Sequence, residues 1–283
     1  MRAESPRYGR MAQLDVAAVA HELVTALDRA SIVTPPTQRY ADLDFTTAYR
    51  VAAEATGLRR GRGEVPAGRK IGYTNRNIWA QYDVHQPIWA HVYAHTVHHA
   101  DANSAALSLA RMVAPRIEPE IAFRLRAPVP AGCTDPAVIL RSVEWVARTF
   151  EIVDCHYPEW KFKGPDSVID FGHHAALVVG EPRAIAERDI PELVEALRDC
   201  WVTLVRDGVV ADTGTGANAL DHPALALAHL ADVIASQPEA PPLEAGEIVT
   251  TGTLTAALPV APGETWRSEA EGLGLPALTV RFE

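Results

Sequence analysis

The chain has 283 residues, a length that accommodates one large domain or one domain with an appendage. Apolar residues make up 48% and charged residues 22%, which excludes a disordered protein. The formal charge of -10 argues against nucleic-acid binding, which needs a basic face, but it does not exclude an anionic substrate in a locally cationic pocket.

The first predicted elements are helical. Val16–Ser31 has an apolar stripe of helical spacing, and Asp44 is a typical N-cap for a second helix that extends to Leu58. The basic, Gly-rich stretch Arg59–Gly68 predicts a loop. We therefore expect residues 1–66 to form a small helical lobe, with residues 1–12 disordered, and residues 67–283 to form a β-rich domain.

From Arg69 onward, short β-rich runs separated by turns replace the helical pattern. The predicted strands are Lys70–Tyr73, Pro87–Tyr93, Arg116–Leu125, Phe150–Asp154, Ser167–Asp170, Ala175–Val179, Trp201–Arg206, Val209–Asp212, Glu247–Thr251 and Leu278–Phe282. Arg206-Asp207-Gly208 indicates a hairpin. Two helices, Pro136–Thr149 and His222–Ser236, interrupt the strands. Many strands with few crossover helices favour an α+β fold on a mixed or antiparallel sheet that is curled or closed.

The most informative segment is Arg116–Leu125, with the sequence RIEPEIAFRL. Alternate residues of a strand share a face, so Glu118 and Glu120 lie together, opposite the apolar side chains. Like charges at this spacing repel unless a cation or several donors lie between them, and Mg²⁺ prefers such oxygen ligands. Without a cation, the pattern describes a solvated strand face, and Glu151 in another predicted strand would by itself be a surface residue.

Several short motifs follow one another in a consistent order from about residue 15 to the C-terminus. They are Gly68–Thr74 (GRKIGYT), Glu118–Phe123 (EPEIAF), Glu151–Asp154 (EIVD), Trp160–Lys163 leading to Ile169-Asp170, Gly216–Leu220 with His222-Pro223, and Gly246-Glu247 leading to Thr251–Thr255. In this order they resemble the hydratase and decarboxylase branch of the fumarylacetoacetate hydrolase superfamily.

That resemblance implies a mixed β-sheet roll that binds Mg²⁺ or Mn²⁺ through Glu118, Glu120 and Glu151. It implies a homo-oligomeric lyase of aromatic-compound catabolism, whose substrates are 2-oxo acids such as 2-hydroxypenta-2,4-dienoate or 4-oxalocrotonate. Such an acid can chelate the cation, which stabilises the enolate. Hydration, decarboxylation and carbon–carbon hydrolysis of an acylpyruvate all stay open. The alternative from another class is a non-catalytic partner subunit.

Four further site residues follow from the resemblance. Lys70 is expected to contact the substrate carboxylate or enolate, although a lysine there could also be a surface residue. Gly252 and Thr253 would present backbone N–H groups and a hydroxyl to a carboxylate, unless they belong to a plain Thr-rich strand. Lys163 is a further substrate-binding candidate, although a lysine on a strand edge is usually solvated.

The sequence departs from that family at two places. The relatives tend to carry Pro-Asp where this chain has Pro87-Ile88, so an acid that could transfer a proton is missing. They tend to carry Asp-Asn with small or hydroxyl residues where this chain has the segment 170–174 (DFGHH). We predict that an imidazole, His173 in preference to His174, replaces the missing group, because histidine titrates near neutral pH. The alternative is that one of them is structural and the other exposed.

A cluster of histidines raises the alternative of a zinc site. Its members are His85, His91, His95, His98 and His99. The region has the pattern of strand and loop, and no cysteine or paired acid completes a tetrahedron, so zinc is disfavoured.

Cysteine usage and hydropathy indicate the compartment. Cys133, Cys155 and Cys200 are odd in number and form no C-x-x-C pair, which is typical of a reducing environment. No apolar run reaches the roughly 18 residues of a membrane-crossing helix, and the polar start lacks the apolar core of a secretion signal. We expect a cytoplasmic protein with a small-molecule substrate and no nucleic-acid or membrane partner.

Overall fold

The computed structural model describes residues 14–237 and 239–283. Its helices are α1 Val16–Arg29, α2 Pro36–Arg39, α3 Phe45–Gly61, α4 Trp79–Tyr82, α5 Pro136–Leu140, α6 Gly164–Ile169, α7 Ile190–Asp199 and α8 Pro223–Ala235. Its strands are β1 Pro66–Gly72, β2 Ile88–Tyr93, β3 Val97–His99, β4 Ser104–Leu107, β5 Arg116–Leu125, β6 Val143–Val153, β7 His174–Val179, β8 Arg183–Ala184, β9 Trp201–Arg206, β10 Val209–Thr215, β11 Ile248–Thr250, β12 Leu258–Pro259, β13 Thr265–Glu271 and β14 Leu278–Phe282. The expected disorder of residues 1–12 concerns a segment outside the described residues.

Capped helices form the first part of the described chain. Asp15 accepts a hydrogen bond from the amide of Ala18 at the start of α1, and Asp44 accepts one from Thr47 at the start of α3. The apolar faces of both helices share a cluster with residues from 155 to 171, which joins the helices to the strands. Helices give way to strands between α3 and β1, and the domain boundary at residue 66 stays a prediction. No helix in the described ranges has the length and hydropathy to span a membrane.

Two sheets make up the β-rich part. The larger has nine strands in the order β2-β1-β11-β5-β6-β7-β3, with β12 paired to β5 and β8 to β6. The smaller has the order β10-β9-β13-β14-β4. Both are mixed, since β1–β11, β3–β7 and β14–β4 are parallel and the other pairs antiparallel. An apolar cluster that includes Ile117 and Phe150 of the larger sheet and Trp266 of the smaller sheet joins them. The α+β, mixed-sheet expectation is confirmed.

Two predicted elements were wrong. The predicted helix Pro136–Thr149 ends at Leu140, after one turn capped by Asp135, and the chain then becomes strand β6. Because β6 is almost wholly buried, its apolar residues do not alternate, and such a run cannot be told from a buried helix by periodicity. The predicted strand Ser167–Asp170 is helix α6, in which the Asp166 side chain accepts a hydrogen bond from the amide of Lys163.

The longest elements that were not anticipated are α7 and β13; the short elements α2, α4, β3, β4, β8 and β12 were not predicted either. The hairpin prediction is confirmed, because Arg206 pairs with Val209 across the Asp207-Gly208 turn. Strand β13 pairs with β9 on the other side of that hairpin and completes the smaller sheet.

Candidate metal centre

Three glutamates meet at the centre of the larger sheet. The antiparallel register of β5 and β6 sets Glu118 opposite Glu151, and opposed residues of such a pair share a face. Glu120, two residues further along β5, shares that face too. One carboxylate oxygen of each residue lies within 4.8 Å of the others. Glu120 is 1% exposed and Glu151 is fully buried, while Glu118 is half-buried.

The electrostatics of this cluster call for a cation. Burial raises the pKa of Glu118 to about 7. Burial, together with the charges of Glu151 and Glu118, raises the pKa of Glu120 well above its ordinary value. Burial also opposes the ionisation of Glu151, but Lys70 and His174 outweigh it and lower its pKa. Two of the three carboxylates are therefore disfavoured as anions until a positive charge joins them.

The donor set fits a hard divalent cation. Glu120 Oε2 accepts a hydrogen bond from the amide of Gly252 at 2.8 Å, but Glu120 Oε1 is buried with no hydrogen-bond partner among the described residues. A buried carboxylate oxygen without a partner is costly. Mg²⁺, Mn²⁺ and Ca²⁺ prefer carboxylate oxygens, so an ion between these glutamates would give that oxygen a partner.

Strand pairing brings Lys70 to the same face. Lys70 pairs with Thr250 of β11, and Thr250 pairs with Ala122 of β5, which shares a face with Glu120. Lys70 is 4% exposed, and its Nζ lies 3.1 Å from Glu151 Oε2. Burial alone would lower the pKa of Lys70, but the glutamates, Glu151 first, raise it. Lys70 is thus a buried cation and not a surface residue.

His174 lies behind Glu151. Its Nδ1 is 2.8 Å from Glu151 Oε1, and its Nε2 is 2.8 Å from Thr96 Oγ1. Burial lowers the pKa of this imidazole, although Glu151 opposes the shift. Because both ring nitrogens are engaged, His174 orients the carboxylate of Glu151. The alternative in which one of the two histidines is exposed is wrong, since both His173 and His174 are buried.

His173 belongs to a separate polar chain. Its Nδ1 lies 3.0 Å from Asp170 Oδ2, and its Nε2 lies 3.1 Å from Ser167 Oγ. Ser167 Oγ in turn lies 2.6 Å from the hydroxyl of Tyr73, which directly follows β1. On its other side, Asp170 binds His156 Nδ1 at 2.7 Å. His173 is therefore connected to the end of the strand that carries Lys70, through two hydroxyl groups.

The remaining predicted residues divide between the cluster and its surroundings. Gly252 has φ +91° and lies so close to Thr74 that a Cβ would be 1.9 Å from its hydroxyl oxygen, which explains the glycine. The Thr253 hydroxyl donates to the carbonyl of Thr255 at 2.9 Å. Lys163 is exposed and precedes helix α6, so its predicted place on a strand edge was wrong.

The structure does not support the histidine cluster as a metal site. Within the ranges described, the groups of acidic, histidine and cysteine side chains close enough to share an ion are the glutamate cluster and the set Cys155, Asp170 and His173. His91 lies on β2 and His98 on β3, and neither belongs to these groups.

Sequence reasoning missed Arg116 and the aromatic residues beside it. Arg116 is the first residue of β5 and, two residues before Glu118, lies on the same face. Its guanidinium carbon is 4.1 Å from the centre of the Trp160 ring. Trp160 contacts Phe162, and Phe162 stacks on Tyr82 with ring centres 5.2 Å apart. The strand alternation that identified the glutamates also marks Arg116, but the aromatic contacts depend on the tertiary fold.

Comparisons with known proteins agree with this geometry. A family model described as fumarylacetoacetate (FAA) hydrolase, C-terminal, matches residues 69–281. The chain is 30% identical over 252 residues to 2-hydroxyhexa-2,4-dienoate hydratase of Comamonas testosteroni, covering 89% of this chain and 92% of that protein. It is 31% identical over 238 residues to 4-oxalocrotonate decarboxylase of Pseudomonas sp. (strain CF600), covering 84% and 86%.

A solved structure is similar over nearly the whole chain. It is 4-oxalocrotonate decarboxylase from Pseudomonas putida G7, complexed with magnesium and adipate, with a TM-score of 0.85 at 26% identity. The match covers 95% of this chain and 97% of that one, so it includes the helices before β1. The expected family and fold are confirmed. The chain belongs to the fumarylacetoacetate hydrolase family, in its hydratase and decarboxylase branch.

Proposed function

We propose that this protein is a divalent-metal-dependent lyase that acts on a 2-hydroxydienoate or a 2-oxo-enoate in aromatic-compound catabolism. The observation that carries the proposal is the buried group of Glu118, Glu120 and Glu151 beside the ammonium of Lys70. Relatives named 2-hydroxyhexa-2,4-dienoate hydratase, 2-keto-4-pentenoate hydratase and 4-oxalocrotonate decarboxylase support the substrate class.

In this proposal the three glutamates hold Mg²⁺ or Mn²⁺. When bound, the cation supplies Lewis-acid stabilisation of an enolate oxygen. The chain's own contribution is to fix the ligands: the amide of Gly252 holds one oxygen of Glu120, and His174 holds one oxygen of Glu151. Groups that fix the outer side of a metal ligand typically change metal affinity by about 10- to 100-fold.

Lys70 is proposed to hold the carboxylate or enolate oxygen of the substrate. Its raised pKa keeps the ammonium charged, so it acts as a donor and not as a base. Its Nζ forms an ion pair with Glu151 Oε2 at 3.1 Å, and the ammonium carries three N–H donors that it can share with the substrate. The Lys70 stem lies against Gly172, where a Cβ would be 2.9 Å from Lys70 Cδ, so the position of the ammonium is constrained.

His173 is proposed to act in proton transfer as a relay. Its nitrogens are both engaged, so a proton would pass through Ser167 to the hydroxyl of Tyr73 and not directly to substrate. Thr253 is proposed to meet the substrate through its backbone, because its hydroxyl is used on Thr255. Lys163, exposed at the start of α6, would contribute through its charge alone.

One observation favours decarboxylation over hydration. Ile88, at the position where the resemblance expects an acid, pairs with Gly72 and therefore shares the face of Lys70. Ile88 is 3% exposed, and a Cβ on Gly72 would lie 2.9 Å from its Cγ1, so an apolar side chain fills this place. Hydration needs a group that activates water, whereas loss of carbon dioxide needs only stabilisation of the resulting dienolate.

The experiment is to assay metal-depleted protein with and without Mg²⁺ or Mn²⁺. The substrates are 2-hydroxypenta-2,4-dienoate, 4-oxalocrotonate and an acylpyruvate, followed by ultraviolet absorbance and carbon dioxide release. We expect metal-dependent turnover of one of the first two and none by Glu120→Gln. Turnover of the acylpyruvate alone would establish a carbon–carbon hydrolase. Stoichiometric metal binding without turnover of any substrate would support the non-catalytic partner subunit.

The choice of cation, assembly and compartment belong to the same proposal. Mg²⁺ is supported by the decarboxylase structures, which hold magnesium or calcium. We propose a homo-oligomer, to be tested by light scattering of the purified chain. A cytoplasmic location is supported by Cys155 and Cys200, which are free thiols, and is tested by fractionation of the source cells.

A further inference from the structure

Arg116 carries an unmatched positive charge next to the glutamate cluster. Its side chain is half-buried. Within residues 14–237 and 239–283, no carboxylate lies within 4.0 Å of its guanidinium and no hydrogen bond to it is formed. Its guanidinium carbon lies 4.1 Å from the centre of the Trp160 ring. A half-buried cation loses part of its hydration, and stacking on an aromatic ring offsets only part of that loss.

Other arginines with restricted exposure show what usually compensates such a charge. Arg59 forms an ion pair with Glu64 at 2.7 Å. Arg148 donates to the carbonyl oxygens of Leu275 and Pro276. The partly desolvated guanidinium of Arg116 has no comparable partner among the described residues. This points to an anionic group of the ligand as its partner.

The surroundings of Arg116 suit an unsaturated carbon chain. Trp160, Phe162 and Tyr82 are half-buried and contact one another in sequence beside it. Arg116 lies two residues before Glu118 on the same face of β5, next to the cluster. Flat apolar rings beside this cation form a surface against which a planar, conjugated chain can lie.

Resting on the proposed function, we propose that Arg116 binds the distal carboxylate of a dicarboxylic substrate whose 2-oxo acid end faces Glu118, Glu120 and Glu151. In this role Arg116 distinguishes dicarboxylic from monocarboxylic 2-oxo acids. The planar guanidinium can bind a carboxylate through two parallel hydrogen bonds, which a lysine cannot.

This contact acts on binding. It stabilises the distal carboxylate of the bound substrate before reaction. It gives no additional stabilisation of the transition state if that carboxylate leaves as carbon dioxide. Removing it therefore raises KM for a diacid and leaves kcat unchanged or higher, because only interactions that strengthen in the transition state raise kcat. A residue that merely supports the fold would lower kcat and weaken every ligand.

The test compares two ligands that differ only in the second carboxylate, 2-oxohexanedioate and 2-oxohexanoate. Binding of each to Mg²⁺-loaded protein is measured by calorimetry for wild type, Arg116→Gln, Arg116→Lys and Arg124→Gln. Arg124 is a matched control, since it lies on the same strand but is exposed and paired with Glu144. Mn²⁺ affinity and thermal unfolding of each variant report on the metal site and the fold.

We expect wild type and Arg124→Gln to prefer the diacid. Arg116→Gln should weaken the diacid by about 5- to 50-fold and change the monoacid by less than about 2-fold, the scale of one charge-assisted contact at a half-exposed site. Arg116→Lys should recover part of the loss. Equal weakening of both ligands, no weakening of either, or a parallel loss of Mn²⁺ affinity would overturn the proposal. If wild type binds neither ligand in a Mg²⁺-dependent way, the proposed function fails instead.

Discussion

Replacing Glu118 by Gln tests the glutamate cluster most directly, because it removes one charge and keeps the shape. In the metal-free protein, burial raises the pKa of Glu118 from 4.5 to about 7. One pKa unit corresponds to about 1.4 kcal/mol, so at pH 7, where the folded-state carboxyl is half ionised, the raised pKa of Glu118 destabilises the metal-free fold by about 3 kcal/mol. Glu118→Gln should raise the free energy of unfolding of the metal-free protein by that amount.

The pH dependence follows from the direction of the shift. Between pH 4.5 and 7 the folded state holds the Glu118 proton more tightly than the unfolded chain, so stability decreases as pH rises. The increase in the free energy of unfolding of Glu118→Gln over wild type should therefore be largest at pH 7 and above. It should vanish below pH 4.5, where the carboxyl of Glu118 is protonated in both the folded and the unfolded state. Glu144→Gln on β6 is the control, because that exposed carboxylate pairs only with Arg124 and should change stability by less than about 0.5 kcal/mol.

Bound Mn²⁺ should make wild type more stable than Glu118→Gln, the reverse of the order expected without metal. Mn²⁺ at 100 times its Kd would stabilise wild type by about 2.7 kcal/mol, whereas Glu118→Gln should gain little. The assay is urea unfolding across pH 4–8, with and without Mn²⁺, together with calorimetric titration of Mn²⁺. A Glu118→Gln variant that is less stable than wild type without metal, or that binds Mn²⁺ with wild-type affinity, would refute the reasoning.

Four further substitutions separate the roles of the neighbouring residues. Lys70→Met should weaken binding of an oxalate-type inhibitor by about 1.5–3 kcal/mol. Mn²⁺ affinity should stay equal or increase, because a competing cation is gone. An unchanged inhibition constant would show that Lys70 does not bind the substrate. His174→Asn should lower Mn²⁺ affinity by about 10- to 100-fold through Glu151, and wild-type affinity would contradict that contact. His173→Asn should lower turnover by about 10²- to 10⁴-fold and leave the binding of Mn²⁺ and of the inhibitor intact. Tyr73→Phe should have the same effects. Wild-type turnover in both variants would exclude the proton relay.

Strand alternation was sufficient to place Glu118 and Glu120 together, because it depends only on neighbouring residues. The position of Lys70 was not derivable in that way. Lys70 reaches the cluster across β11, whose residues lie about 180 positions later in the sequence, through one parallel and one antiparallel pairing. Such pairings are long-range, and a single sequence carries no signal for their register. Only the family resemblance connected Lys70 to the glutamates beforehand.

The error at Pro136–Thr149 had a further consequence for the site. By assigning Val143–Thr149 to a helix, it shortened β6 to the predicted strand Phe150–Asp154 and left out most of the pairing with β5 that sets Glu151 opposite Glu118. The roles of the two histidines also depended on the tertiary fold. A register shift between Ile152 and Val153 accompanies the pairing of Val153 with His174, whose side chain contacts Glu151. A bulge of this kind redirects side chains and is not visible in local periodicity.

The charges around the site link the metal proposal to the choice of substrate. With the proposed divalent cation bound, three ionised glutamates would be balanced by that cation and Lys70, so this inner group would have no formal charge left over. It can hold a 2-oxo acid by chelation, but it offers no net attraction to a second carboxylate. Arg116 provides that attraction at the edge of the same face, and Ile88 withholds an acid that would repel a dianion. An acidic protein with one unmatched arginine at this position is therefore built to discriminate by the charge of its ligand.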